Sequence, residues 1–180
     1  KAGRLARLVL APFTMHRRIL ALIQRETRNA QHGKPARIIA KMNGLLEERV
    51  IAALGAASQA GVDIDLIVRG ACALRPGVPG LTENIRVRSI LGRFLEHHRV
   101  WYFENGGKPQ VWLSSADWMG RNLFRRIEVA FPILDPDVAQ RVVSESLTAC
   151  LADNHDAWLL DSDGIWQKAR RRKGEPVHSS

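Results

Sequence analysis

The segment Val62-Asp63-Ile64-Asp65-Leu66-Ile67-Val68 decides the fold, because it predicts a buried strand that follows a strand and a helix. The preceding strand is predicted over residues 36–41 (ARIIAK). Between them, residues 45–60 carry apolar side chains at helical spacing, and Gly61 ends this helix of about four turns. Strand, helix and strand form a βαβ unit, in which the strands are parallel and the crossover is right-handed.

Further elements are predicted on both sides of this unit. A helix is expected over residues 14–33, and the apolar stripe of residues 85–97 predicts another helix. The β-rich runs 100–103 and 111–113 flank a turn of sequence NGGKP and predict a hairpin. Residues 127–134 predict one more strand.

The last predicted helix begins at Asp135, with Pro136 at its first position. We therefore predict an α/β domain over residues 1–155, with a mixed sheet, a parallel βαβ core and helices on both faces. Residues 156–180 are predicted to be a basic, poorly ordered C-terminal tail. Ligands of such sheets gather at the carboxyl ends of the strands, so Arg69, directly after the second strand, is placed where a ligand binds.

The composition is that of an ordinary soluble domain. The chain has 180 residues, of which 46% are hydrophobic and 25% are charged, and this length supports a core without a disulfide or a metal. No apolar run approaches the roughly 18–20 residues of a membrane span. Cys72 and Cys150 have no metal-binding or redox spacing, so we predict free thiols, a reducing compartment and no metal ligand in this chain.

The net charge of +9 is concentrated at the two ends. Residues 1–28 hold seven basic side chains against one acid, and residues 168–175 hold five against one. Such ends attract polyanions, although solvated tails without a partner have the same composition. Between Arg69 and Arg99 all six cations are arginines. Because the planar donors of arginine match phosphate oxygens, this stretch is the better candidate for a phosphate site.

The segment that follows residue 96 carries side chains suited to phosphate chemistry. His97 is followed by Arg99, then by Glu104, and then by a Ser-Ser-Ala-Asp turn at residues 114–117. This order resembles the phospholipase D pattern of His-x-Lys, a later acid and a Ser/Asn turn, with Arg in place of Lys and Glu in place of Asp. An imidazole can attack phosphorus or protonate a leaving oxygen, while fixed cations neutralise the other phosphate oxygens.

Longer strings of sequence carry a more specific resemblance. The strings VDIDLIVRG (62–70), LRPGVPG (74–80), RFLEH (93–97) and SSADW (114–118) closely resemble the C-terminal domain of bacterial polyphosphate kinases. The resemblance covers roughly residues 8–150 and implies a phospholipase D-like fold. It also implies reversible transfer of the terminal phosphate of ATP to inorganic polyphosphate, with Mg²⁺.

The resemblance also assigns roles to single residues. The arginine of the LIVRG motif is Arg69 and the histidine of RFLEH is His97. Both are expected to bind ATP or phosphate in one concavity, and His97 is the expected catalytic residue. Arg99 and Asn122 either support phosphate oxygens or brace the hairpin. Glu104 is expected to orient its neighbours rather than to transfer protons.

The family's phosphohistidine and metal-associated arginines lie in a partner domain that has no counterpart here. We therefore expect the last domain of a larger transferase, inactive alone, with the Mg²⁺ ligands outside this chain. The implied partners are ATP or ADP, polyphosphate, the other domains of the polypeptide and further copies in a homo-oligomer, with no specific nucleic acid. The implied location is cytoplasmic, with peripheral membrane association left open. His98 is predicted to be structural or to face solvent.

A second hypothesis, from a different functional class, is a non-catalytic basic module that binds polyphosphate or nucleic acid. The basic ends of the chain favour this module, whereas the pairing of Arg69 with His97 favours the enzyme. The module requires cations spread over a continuous face. The enzyme requires cations that converge on a pocket containing His97.

Overall fold

The computed structural model describes residues 7–171 and 174–180, and a nine-stranded sheet is its central feature. Four basic residues of the charged ends, Lys1, Arg4, Arg172 and Lys173, lie outside the described residues. The strands are β1 (Val9–Ala11), β2 (Arg37–Met42), β3 (Asp63–Val68), β4 (Ile85–Ile90), β5 (Arg99–Phe103), β6 (Gln110–Ser114), β7 (Glu128–Pro132), β8 (Ala157–Leu160) and β9 (Trp166–Lys168). The helices are α1 (Met15–Gln31), α2 (Glu48–Gln59), α3 (Gly120–Phe124), α4 (Pro136–Val142), a π-helical segment (Val143–Thr148) and α5 (Ala149–Ala152).

The strand order of the sheet is β1-β7-β6-β5-β2-β3-β4-β8-β9. Strands β2, β3 and β4 are parallel, and every other pairing is antiparallel. Helix α2 connects β2 to β3, so the predicted βαβ unit is confirmed. The hairpin of β5 and β6 is confirmed too, and β5 pairs with β2 on the side away from β3.

Helices cover both faces of the sheet. Residues Ile64, Leu66 and Val68 of β3 belong to the core beneath α1 and α2. Ile67 of the same strand belongs to a second core that includes residues of the π-helical segment and α5. The alternation along β3 follows from the two-residue period of a strand, and burial on both sides explains its nearly continuous apolar sequence.

The predicted helix over residues 85–97 is wrong. Residues 85–90 form strand β4, which lies parallel to β3, and residues 91–98 have no regular structure. In β4, Ile85 and Val87 are buried while Arg86 between them is exposed, which is the two-residue period of a strand. The β-branched side chains and the free edge of β3 outweigh the helical spacing of the later apolar residues.

The predicted poorly ordered tail over residues 156–180 is wrong for residues 157–160 and 166–168, which form strands. Strand β8 pairs antiparallel with β4, and β9 pairs with β8. Leu160 and Trp166 pack against the larger core. The domain therefore extends past the predicted boundary at residue 155, because β8 uses the hydrogen-bonding groups that β4 leaves free.

The other predicted helices are present with shifted ends. Helix α2 begins three residues later than expected, where the side chain of Glu47 accepts a hydrogen bond of 2.8 Å from the backbone nitrogen of Val50. Asp135 caps α4 as predicted and accepts hydrogen bonds from the first turn. In residues 7–171 and 174–180, no helix combines the length and apolar composition needed to cross a bilayer.

Candidate functional site

One end of the sheet brings together the carboxyl ends of β2, β3 and β6 and the beginning of β5. In the pairing of β2 with β3, Met42 lies opposite Val68. In the antiparallel hairpin, Arg99 lies opposite Ser114. The turns that leave β2, β3 and β6 therefore meet at this edge, as expected for the ligand-binding end of a parallel sheet.

A chain of hydrogen bonds connects these turns. Arg69 donates through Nε to Oδ1 of Asn43 at 2.9 Å. Asn43 in turn donates to Oδ1 of Asp117, from its backbone nitrogen at 2.7 Å and from Nδ2 at 3.2 Å. Arg99 completes the chain by donating to both carboxylate oxygens of Asp117, each at 3.0 Å. Two arginines are thus fixed at one edge by a single buried carboxylate and an amide.

The Arg99–Asp117 pair is largely shielded from water, with 11% and 7% of the two side chains exposed. Burial alone raises the pKa of a carboxyl group, but hydrogen bonds from Arg99 and Asn43 outweigh that effect and lower the pKa of Asp117. Asp117 is therefore ionised at neutral pH and keeps Arg99 oriented.

His97 lies at the outer side of this network. Its imidazole is exposed, and Nη1 of Arg99 is 3.1 Å from Nδ1 and donates to the His97 carbonyl oxygen at 2.7 Å. Nη2 of Arg99 also lies 3.3 Å from Nε2, so the guanidinium contacts both ring nitrogens of His97. Arg99 therefore positions both the backbone and the ring of His97.

A small recess opens beside this network. Its polar lining comes from Lys41, Asn43, Arg69, Glu96 and His98. His97 is not part of this lining, so Arg69 and His97 lie at the same edge without sharing the recess. His98, predicted to be structural or solvent-facing, is exposed and also contributes to the lining. Loss of water around its ring and the nearby Lys41 ammonium lower the pKa of His98.

Lys41 is an unusual member of this lining, because only 4% of it is exposed. Its ammonium forms an ion pair with Glu96, the residue before His97, and lies 2.9 Å from Sγ of Cys150. Cys150 and Cys72 are free cysteines, and burial raises the pKa of each thiol. A buried charge on the central strand is therefore neutralised by a residue of the loop that carries His97.

Two of the sequence-predicted residues have their side chains in other surroundings. Asn122 is 2% exposed and donates through Nδ2 to Glu128 at 2.8 Å, so its contacts correspond to the bracing alternative. Glu104 lies beyond the far end of β5 and accepts a hydrogen bond from the hydroxyl of Tyr102. Glu104 therefore orients a neighbour, at the end of β5 opposite Arg99.

The arginine-rich stretch is divided between separate environments. Arg86 pairs with Asp63 and Asp65, and Arg88 donates to the carbonyl oxygens of Cys150 and Leu151. These contacts use the guanidinium donors for structural purposes. Arg69 and Arg99 are the members of the stretch that join the hydrogen-bond chain at the edge.

The described residues contain no cluster of metal-ligating side chains. Among residues 7–171 and 174–180, no group of three or more His, Cys, Asp or Glu side chains could hold a metal ion. The two carboxylates nearest the edge, Asp117 and Glu96, are each engaged by a cation.

Asn43, Asp117 and Lys41 were not predicted to meet at this edge, although Asp117 ends the predicted Ser-Ser-Ala-Asp turn. Asn43 and Asp117 are each polar residues just after a strand, which is a recognisable signal once the strand order is known. They are 74 residues apart in sequence. Lys41 stands inside an apolar strand, and such a buried cation is itself a signal, because it requires a partner.

The fold is that of phospholipase D-like proteins, as predicted. Nuc from Salmonella typhimurium, a phospholipase D family member, matches with a TM-score of 0.56 and 17% sequence identity, over 77% of this chain and 89% of that one. At this identity, the likeness shows the fold alone. The match assigns the sheet of this chain to the phospholipase D-like fold.

The chain belongs to the family described as polyphosphate kinase C-terminal domain 2, whose model matches residues 8–180. The polyphosphate kinase of Burkholderia vietnamiensis is 62% identical over 170 residues, which are 94% of this chain and 24% of that protein. The crystal structure of polyphosphate kinase from Porphyromonas gingivalis matches with a TM-score of 0.89 and 46% identity, over 95% of this chain and 26% of that one. This chain thus spans about a quarter of the length of these relatives, and the family match includes the segment first predicted to be a tail.

Proposed function

We propose that this chain supplies one half of a phosphotransfer site, which moves the terminal phosphate of ATP reversibly to inorganic polyphosphate. The other half, with the histidine that becomes phosphorylated, belongs to further domains of the same polypeptide. The proposal is carried by one observation: the hydrogen-bond chain from Arg69 through Asn43, Asp117 and Arg99 to His97.

In this proposal the arginines bind and neutralise phosphate oxygens. Arg69 uses Nε for Asn43, which leaves its terminal nitrogens for a phosphate. His97 exchanges a proton with a phosphate oxygen as the phosphoryl group passes between ADP and the partner histidine. The partner histidine attacks phosphorus, the bond to ADP breaks, and the terminal oxygen of polyphosphate later attacks the phosphohistidine.

Mg²⁺ reaches the site with the nucleotide or through residues outside this chain. The full polypeptide is a cytoplasmic homo-oligomer that binds ATP or ADP and polyphosphate. Asn122 supports the turn rather than the phosphate.

The test uses a full-length chimera, in which this chain replaces the matching segment of the Burkholderia vietnamiensis polyphosphate kinase. We expect ATP-dependent polyphosphate synthesis by the chimera and none by the isolated chain. His97→Ala should reduce the turnover of the chimera about 10²–10⁴-fold, the usual value of acid–base catalysis. His32→Ala is the matched control, because His32 is exposed at the end of α1.

The outcomes separate the enzyme from the basic module. Near-normal turnover of the His97→Ala chimera at saturating ATP contradicts the catalytic role. A chimera that binds polyphosphate but transfers no phosphate from ATP favours the non-catalytic module. Circular dichroism of both variants checks that their folds are intact.

A further inference from the structure

The loop of residues 91–98 carries His97 but has no helix or strand to hold it. At its beginning, the backbone nitrogen of Leu91 donates to the carbonyl oxygen of Asp156 at 3.1 Å. In its middle, Phe94 and Leu95 are 79% and 69% exposed. Apolar side chains that remain in water contribute no packing energy, so the position of the loop depends on its polar contacts.

Two polar contacts lie at the end of this loop. On the outer side, Arg99 donates to the carbonyl oxygen of His97. On the inner side, Glu96 pairs with the ammonium of Lys41 on the central strand β2. The two contacts fall on consecutive residues and fix the direction of the backbone between them.

The ion pair between Lys41 and Glu96 is the more strongly constrained of the two contacts. Lys41 is 4% exposed, so its charge is poorly hydrated and is compensated by Glu96. A second N–H of the Lys41 ammonium donates to Sγ of Cys150 at 2.9 Å, and this contact fixes the orientation of the ammonium. An unpaired buried ammonium is costly, so Lys41 holds Glu96 in place more firmly than a surface lysine could.

We propose that Lys41 is a positioning residue, which sets the place of His97 through its buried ion pair with Glu96. Lys41 touches no substrate in this scheme. It fixes residue 96, and residue 97 follows by chain connectivity. The inference rests on the proposed function for its kinetic consequence, whereas its effect on the loop can be measured without any activity.

Loss of the Lys41–Glu96 pair is expected to affect the turnover number and not KM. Without the pair, the loop samples several positions and His97 is correctly placed for only a fraction of the time. The turnover number falls with that fraction, because a displaced catalytic group slows the chemical step. KM for ATP changes little, because Arg69 and Arg99 keep their hydrogen bonds to Asn43 and Asp117.

The test compares Lys41→Met, Glu96→Gln and the double variant in the full-length chimera. Methionine is unbranched like lysine, is one heavy atom shorter, and suits a buried position. Lys108→Met is the matched control, because Lys108 is exposed in the turn between β5 and β6. Hydrogen–deuterium exchange of residues 91–98 reports on the loop, and steady-state rates report kcat and KM separately.

We expect Lys41→Met to speed exchange in residues 91–98 while β2 and β3 stay protected, and to lower kcat about 10-fold or more. The double variant should be no slower than Lys41→Met, because both changes break one contact. Unchanged exchange in the loop overturns the inference, and so does faster exchange with unchanged kcat. An inactive unmodified chimera would count against the proposed function, and the exchange data would still decide the positioning role.

Discussion

The backbone nitrogen of Gly70 donates to the backbone carbonyl oxygen of Asn43 at 2.9 Å, which brings the turns after β3 and β2 into direct contact. A Cβ atom on Gly70 would lie 2.7 Å from that oxygen, closer than such atoms approach in proteins. The space that glycine leaves is therefore what permits Arg69 and Asn43 to meet. The geometry of the edge depends on a residue that has no side chain.

Gly70→Ala should accordingly separate the two turns. Because the clash is with backbone rather than with a flexible side chain, we expect a loss of stability of about 1–3 kcal/mol. The same substitution should also lower the turnover of the chimera. Urea unfolding of the chain measures the first effect, and Gly120→Ala is the control, since nothing lies within 4 Å of a Cβ there. Equal stability of the two variants would show that the turns can move apart freely.

Asp117→Asn should destabilise the domain by about 1–3 kcal/mol, because it leaves the shielded guanidinium of Arg99 without its counter-charge. The substitution keeps the size of the side chain, so packing is not the cause. Glu145→Gln breaks an exposed pair with Arg141 and should leave the unfolding midpoint unchanged. If both variants unfold at the same urea concentration, the buried pair has no special role in stability.

The same carboxylate predicts a dependence of stability on pH. The pKa of Asp117 is lowered in the folded protein, so its contribution is present above the pKa of an unfolded aspartate, about 3.9. As the pH falls below that value and through the folded pKa, this contribution is lost. The stability difference between wild type and Asp117→Asn should therefore shrink progressively as the pH falls below about 4. A difference that is constant over this range would mean that Asp117 does not titrate as described.

Truncation tests the C-terminal strands. Removing residues 157–180 should lower the urea midpoint strongly, because it uncovers the edge of β4 and takes away Leu160 and Trp166. Removing only residues 174–180 should cost less, since both strands remain. Ser180 donates to Asp153 in the complete chain, so a small loss is still expected. A mild effect of the longer truncation would restore the interpretation of this segment as a tail.

The sequence predicted the βαβ unit well because β2, α2 and β3 are consecutive and each has a clear period. It failed at β4, where apolar residues satisfy two periods and only the free edge of β3 decides between them. It failed at β8 for the same reason, since the pairing partner lies about 70 residues earlier in the chain. The local sequence of a strand does not determine the sheet edge with which that strand pairs.

Some residues of the candidate site could be predicted from the sequence, and others could not. Arg69, His97 and Arg99 could be named from motifs, because each lies within a recognisable string of residues. Asp117 also lies within such a string, SSADW, but its link to Asn43 could not be predicted, because it arises from the antiparallel return of β5 and β6 beside β2. Lys41 was hidden within an apolar strand, and its partner Glu96 lies in a segment predicted to be helical.

The outermost strands of the sheet, β1 and β9, are each three residues long. So short an edge exposes few unpaired backbone groups, and another chain gains little by adding a strand to it. At β9 the exposed cations Lys168 and Arg170 also repel a second copy that approaches edge to edge. The short edge strands and the exposed cations beside β9 therefore disfavour aggregation by edge-to-edge pairing of sheets.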